Sequence, residues 1–307
     1  MPPSSSRIPS LLQPYIQGLP EGSLHLLTSV LGASANWLLI RYISGALGDV
    51  QPANGRRAND HDGTTAVVLV SFLRDWDFWK VEARRAAGLD LARLAQQNRF
   101  VFVDGLSIIS LTSAAIEHLE STLSSVISSL SAQGRRIHLL LDSPDLLLAA
   151  TASSAPSAAV TPSILNSTIL SLRAQVYAVT VAVSADTPLM GAASDASAFA
   201  SGMSSTKQHT PLETRHAGLV LSLAHVADWM LSLRLLDTGF AADVSGVVRI
   251  TRGDNQDEDD GEEGEESQET WEKEETKREE KELLYHVAGD GGVKVFERGA
   301  GGGAGHG

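Results

Sequence analysis

The chain has 307 residues, of which 43% are hydrophobic and 5% aromatic, with a formal net charge of −13 and no cysteine. The missing cysteines exclude disulfides, cysteine-based zinc sites and thiol catalysis. The charge is local: 16 of the 37 acids and 4 of the 24 bases fall within 254–282, leaving 21 acids against 20 bases. An acidic balance of this kind is no argument against RNA binding by a basic patch elsewhere.

Six stretches are expected to be tails or low-complexity inserts: 1–10, 49–63, 151–163, 190–209, the acidic 253–282 and 299–307. About 210 residues remain, which suits one α/β domain over 11–298 better than two. Pro2, Pro3 and the serines before Arg7 lack the apolar run of a signal peptide. Gly218 to Leu236 is the most apolar long window, but His225, Asp228 and Arg234 interrupt it, so no membrane span is expected. The expected location is the cytoplasm, with the nucleus as a second compartment.

From the N-terminus, Ser23 to Val30 reads as a strand, Gly32-Ala33-Ser34-Ala35-Asn36 as a turn, and Trp37 to Ile43 as the start of a buried helix. Thr65 to Ser71 is a continuous apolar run, the pattern of a strand covered on both faces. Trp76 to Gln97 is predicted helical with a break near Gly88, and Phe100 to Val103 is a strand ending at Asp104-Gly105. Thr112 to Gln133 carries Ile116, Leu119, Leu123, Ile127 and Leu130 at helical spacing. Ile137 to Leu141 is a strand ending at Asp142-Ser143-Pro144. A helix over Thr161–Ala174 and a strand over Val176–Val183 continue the alternation. Met190 to His209 is expected to be a disordered excursion. Thr210-Pro211-Leu212-Glu213 is a helix-start signature, followed by strands at Trp229–Leu236 and Gly246–Thr251. Leu283–Val287 and Val293–Phe296 flank the hairpin turn Gly289-Asp290-Gly291-Gly292. The expected fold class is therefore α/β, a mostly parallel sheet flanked by helices with antiparallel C-terminal strands.

A strand that turns through glycine into a helix is where α/β proteins place phosphate. A phosphate loop needs Gly-x-x-x-x-Gly-Lys-Ser/Thr, so that amides cradle the phosphates and lysine reaches the terminal ones. Here Gly32 is the turn's lone glycine, no lysine follows, and Trp37 stands where a small side chain is required. The turn reads as a degenerate phosphate loop. Gly32-Ala33-Ser34-Ala35 is also close to the Gly-x-Ser-x-Gly elbow of hydrolases, with Asp142 or Asp186 and His216 or His225 as loose triad partners. Asp104 and Asp142 each end an apolar strand where α/β sites assemble. Asp142 resembles a magnesium-holding carboxylate or, more simply, a helix cap or turn residue. The nine histidines form no metal-ligand spacing. Arg56-Arg57 and Arg135-Arg136 are basic pairs able to touch RNA phosphates or to sit in solvent. Arg249 and Arg252, near a strand end, could serve a neighbour's nucleotide in trans.

Three stretches carry a family resemblance. Ser71-Phe72-Leu73-Arg74-Asp75-Trp76 with Phe78-Trp79-Lys80 and Phe102 to Ser107 is the first. His225-Val226-Ala227-Asp228 with Asp243 to Gly253 is the second, and Leu283 to Val287 with Gly289 to Arg298 is the third. Taken in order they resemble the sixth-subunit family of the fungal Elongator complex. The resemblance implies a RecA-like fold without the ATPase loop, in a hetero-hexameric ring with two other RecA-like Elongator subunits. It implies that the ring binds tRNA and assists the catalytic Elongator subcomplex in wobble-uridine modification. No catalytic residue, cofactor or metal is implied for this chain; ATP is expected only in the assembled ring. An autonomous nucleotide hydrolase and a scaffold without RNA contact remain the alternatives.

Overall fold

Strands that are apolar on every residue need cover on both faces, and the order of elements supplies it. The computed structural model describes residues 8–47, 65–109, 114–151, 159–200, 208–236, 241, 243–253 and 278–298. A 3-10 turn at Ser10–Leu12 leads into α1 (Gln13–Ile16), β1 (Ser23–Ser29), α2 (Asn36–Leu47), β2 (Thr65–Ser71), α3 (Trp76–Ala87), α4 (Leu91–Gln96) and β3 (Phe100–Asp104). There follow α5 (Gly105–Ile109), α6 (Ala115–Ser131), β4 (Arg136–Asp142), α7 (Leu146–Ala150), α8 (Pro162–Arg173), β5 (Ala178–Ser184) and α9 (Thr187–Ala200). The chain continues with α10 (Pro211–Val226), β6 (Trp229–Arg234), β7 (Gly246–Arg252), β8 (Lys281–Val287) and β9 (Val293–Glu297).

All nine strands join one sheet in the order β3-β2-β4-β5-β1-β6-β7-β8-β9. The first six of that order are parallel and the last three antiparallel. The mostly parallel sheet with an antiparallel finish is thus the observed fold. Alternate residues of each central strand feed two separate cores. Leu27, Val67, Leu69 and Leu140 meet α2 and α3 on one face. Leu24, Leu26, Val68, Leu139 and Val181 meet α6, α8 and α10 on the other.

The connection from β1 crosses the first face through α2 and reaches β2, while the connection from β5 crosses the second face through α10 and reaches β6. Since β1 and β5 are neighbours, the chain leaves adjacent strands in opposite directions. Such a switch point opens a crevice at the carboxyl ends of the strands.

Several expected boundaries shift. Residues 1–10 are not wholly a tail, because Ile8 is buried in the first core and the 3-10 turn begins at Ser10. The stretch 190–209 is not simply a disordered insert: α9 extends to Ala200 and packs on α10. Its alanine content favours helix, a signal that a compositional reading took for low complexity. The acidic stretch is shorter than 253–282. Gly253 N–H donates to the Asp228 carbonyl at 3.0 Å, Arg278 donates to the carbonyls of Pro14 and Gly18, and β8 starts at Lys281. All of 49–63 and 299–307 lie outside the described residues, as do 152–158 of the stretch 151–163, whose remainder joins the fold with Val160 buried and α8 starting at Pro162.

Candidate functional site

The crevice is walled by the ends of β1, β5, β4 and β2, which lie in register as Ser29 beside Ser184, Ala182 beside Asp142, and Asp142 beside Ser71. Above β1 the chain makes a tight turn. Ala33 N–H donates to the Val30 carbonyl at 2.9 Å, and Gly32 has φ +91°, a conformation that a side chain disfavours. Space is not the constraint, since a Cβ there would meet only Leu235 at 3.5 Å. Six residues separate Ser29 from Asn36, and four of them are spent in this turn.

Three of its amides, those of Leu31, Ala33 and Asn36, are already occupied. Leu31 N–H donates to Oδ1 of Asp186 at 2.7 Å, whose Oδ2 accepts from the Ser184 hydroxyl at 2.8 Å. Asn36 N–H donates to the Ser34 hydroxyl at 3.3 Å. A carboxylate thus sits on the first amide of the turn, where it would repel a phosphate. Trp37 is buried and packs on the Tyr285 ring at 4.9 Å, so the first turn of α2 is filled by side chain.

The two strand-end aspartates part company. Asp104 caps α5, accepting from Leu106 N–H at 3.0 Å and from Ser107. Asp142 is 3% exposed and sits in a network: the Ser71 hydroxyl donates to it at 2.7 Å, Arg74 lies at 3.5 Å and the Ser143 hydroxyl at 3.3 Å. Burial pushes its pKa up, against the lowering effect of Ser71, Arg74 and Ser143. A metal at Asp142 would have to displace these partners.

Sequence reasoning did not pair Asp145 with His216. Nε2 of His216 donates to the Ser184 carbonyl at 2.8 Å, and Nδ1 lies 3.8 Å from Oδ2 of Asp145. Both side chains are buried, and Oδ1 of Asp145 has no hydrogen-bond partner. Burial raises the Asp145 pKa to about 6, with His216 acting to lower it. His216 occupies an apolar-periodic position of α10, with Val220 and Leu223, and a histidine on such a stripe was the available signal. The hydrolase constellation is not assembled: His216 faces Asp145, Asp186 holds the turn, and the Ser34 hydroxyl accepts from the Asn36 amide.

The candidate arginines lie away from the crevice. Arg136 opens β4 at the opposite rim and lies over the Tyr177 ring at 5.2 Å. Arg135 beside it donates to the Gln97 carbonyl. Arg56 and Arg57 fall outside the described residues, but Thr65, the first described residue after them, is the register neighbour of Arg136. Arg249 is exposed in the middle of β7, between Ser232 and Glu282. Arg252 ends β7 at the rim opposite the crevice, and its amide donates to Glu280. The structure therefore does not bring Arg249 and Arg252 to one strand end with the crevice.

Among the described residues no cluster of histidine and carboxylate side chains suits a metal ion, and no helix is long and apolar enough to cross a membrane. No family model matches the sequence, and no curated protein matches it at a significant level. Solved structures do match. The KaiC-like protein PH0186 from the hyperthermophilic archaeon Pyrococcus horikoshii OT3 superposes with a TM-score of 0.54 at 13% identity, covering 95% of this chain and 97% of that one. At this identity the likeness gives the fold, which is RecA-like.

Proposed function

We propose that this chain is a non-catalytic RecA-like subunit of the Elongator hetero-hexameric ring, assembling with two other RecA-like subunits to bind tRNA and assist wobble-uridine modification. The three sequence stretches that resemble the sixth-subunit family supply the ring and the substrate. The RecA-like fold is compatible with both. The observation that carries the non-catalytic part is the Asp186 carboxylate on the Leu31 amide, in a turn without lysine. Phosphate binding at a strand-to-helix turn depends on free amides and a positive field. Here an internal anion takes the place of the phosphate. The RNA contact we assign is the rim opposite the crevice, where Arg135 and Arg136 lie and the segment bearing Arg56 and Arg57 rejoins the sheet.

Co-expression with the two candidate ring partners, followed by mass measurement, tests assembly: two copies of each chain are expected, and a chain that stays apart refutes the ring. The purified single chain should not turn over ATP; turnover that Asp142→Ala abolishes would establish an autonomous hydrolase instead. Reversing the charges of Arg56, Arg57, Arg135 and Arg136 should weaken tRNA binding by the ring and flatten its salt dependence. Unchanged affinity and slope would remove these residues from the RNA path.

A further inference from the structure

A cavity of about 530 Å³ opens beside β3, walled by Asp75, Trp76, Asp77, Phe100, Phe102 and Asp104. Its apolar wall is a set of three rings. Trp76 lies 5.9 Å from Phe100 with planes 24° apart, and 5.5 Å from Phe102 with planes 34° apart. Its polar wall is three carboxylates, and none of the lining residues is basic. Two of the carboxylates are held rigidly by backbone: Asp75 accepts from Phe78 N–H at 2.8 Å, and Asp104 from Leu106 N–H at 3.0 Å. The chain already places a cation against this pattern from outside the cavity wall. The Lys80 ammonium lies 5.5 Å from the Trp76 ring centre and 2.5 Å from Asp77.

The same residues border a free sheet edge. β3 is the terminal strand and pairs only with β2 among the described residues. The Arg99 carbonyl accepts from Val67 N–H at 2.9 Å. Backbone groups alternate in direction along a strand, so those of the partly exposed Phe102 point outward, while Phe100, next in phase, is 1% exposed and already covered. An extended chain laid along that edge would hydrogen-bond to the Phe102 groups and carry a side chain past the rings.

We propose that this pocket captures the arginine of an extended segment of a partner protein, added as a strand to the free edge of β3. A guanidinium is flat, stacks on aromatic faces and forks towards carboxylates, and edge addition supplies the main-chain bonds. A lysine has no planar face to stack. A nucleobase would stack as well, but its phosphate would enter a field of three carboxylates. The inference is independent of the Elongator reading, since any partner with this chemistry satisfies it.

The test uses the full chain and the probe peptide acetyl-Thr-Val-Arg-Val-Thr-amide. The readout is the Trp76 indole N–H resonance, assigned by its disappearance in Trp76→Phe. The arginine peptide should shift it saturably, and the citrulline version should bind about tenfold more weakly, because it keeps the shape and loses the charge. Asp77→Lys should weaken arginine-peptide binding by about fivefold. The Asp77 side chain is 81% exposed and its pair is only with Lys80, so this variant keeps the fold. Equal binding of the arginine and citrulline peptides overturns the proposal, as does indifference to Asp77→Lys. So does a shift produced by uridine monophosphate instead, or one produced by raising the protein concentration alone, which would make the occupant a nucleotide or a second copy.

Discussion

Two groups of polar side chains lie in this sheet, one at its carboxyl rim and one buried in its middle, and they hold themselves together differently. At the rim, charges are matched to donors: Asp142 to Ser71 and Arg74, Asp186 to Ser184 and the Leu31 amide, Asp145 to His216. Beneath α2 the group is neutral. Nδ1 of His25 is bonded to the Tyr42 hydroxyl and Nε2 of His138 to the Thr180 hydroxyl, each at 2.8 Å. No carboxylate enters this second group, so both imidazoles are kept uncharged by burial, which pushes each pKa down to about 3. At the crevice, polar groups are mostly bonded to one another. Where packing alone rules, they are made neutral.

Acid should separate the two groups, and this is the largest effect we expect. An unfolded histidine titrates near 6.5, whereas these two titrate near 3 in the fold. Below pH 6.5 the unfolded chain binds more protons, so stability falls as pH falls, until about pH 3. Between about pH 7.5 and about pH 5 the pair should cost about 4 kcal/mol. Asp145 acts in the opposite sense: its folded pKa is raised, so protonation favours the fold as pH drops through about 6. That offsets about 1 kcal/mol over the same interval. Urea midpoints at the two pH values should show a net loss of about 3 kcal/mol, and Asp145→Asn should deepen it by about 1 kcal/mol. A flat profile would mean that the two histidines are not buried neutral.

Glycines at the rim sharpen the comparison on the side of the crevice. A Cβ on Gly105 would stand 2.6 Å from the Ser71 carbonyl oxygen and 2.7 Å from the Phe72 ring, beside the hydroxyl that serves Asp142. Gly105→Ala should therefore cost about 3 kcal/mol, because backbone must move. Gly32→Ala meets only Leu235, at an ordinary 3.5 Å, and a positive φ, and should cost about 1 kcal/mol. Equal costs, read from urea melts, would contradict the packed corner. Asp186→Ala should also cost about 1 kcal/mol, with Asp186→Asn restoring roughly half, since its amide oxygen can still accept from Leu31. No loss in Asp186→Ala would mean that the turn does not depend on its internal anion.

The order of strands and helices was legible because buried parallel strands are apolar runs and α6, α8 and α10 show helical spacing. Even the capping box at Thr210 and Glu213 stands as its spacing implied. The turn's lack of lysine and its Trp37 were legible too. The carboxylate on the turn's first amide was not, because Asp186 lies 155 positions from Leu31 and no local pattern joins them. The same distance hid Arg41, which sits inside an apolar helix segment and donates to the carbonyls of Ala86 and Gly291. It ties the C-terminal hairpin to α2 without any carboxylate partner in these bonds. The aromatic cavity was hidden for a related reason. Trp76 and Phe102 each read as ordinary apolar positions, and only the sheet edge turns their faces into a pocket.

The smallest expected effect comes from the acidic segment. Its two ends, Gly253 and Arg278, each lie three residues beyond the last register pair, Ile250 with Lys281, at the rim opposite the crevice. A four-residue Gly-Ser linker in place of 254–277 can therefore join them without moving either strand, and it leaves the Arg278 contacts with Pro14 and Gly18 intact. Shortening the loop lowers its closure entropy, and the removed acids repel one another, so stability should rise by about 1 kcal/mol or stay level. Neither polar group should notice: the acid-induced loss in urea midpoint should match that of the parent chain. A larger loss in the shortened chain would tie the segment to the histidine pair, and a collapse of the fold would show that the rim depends on it.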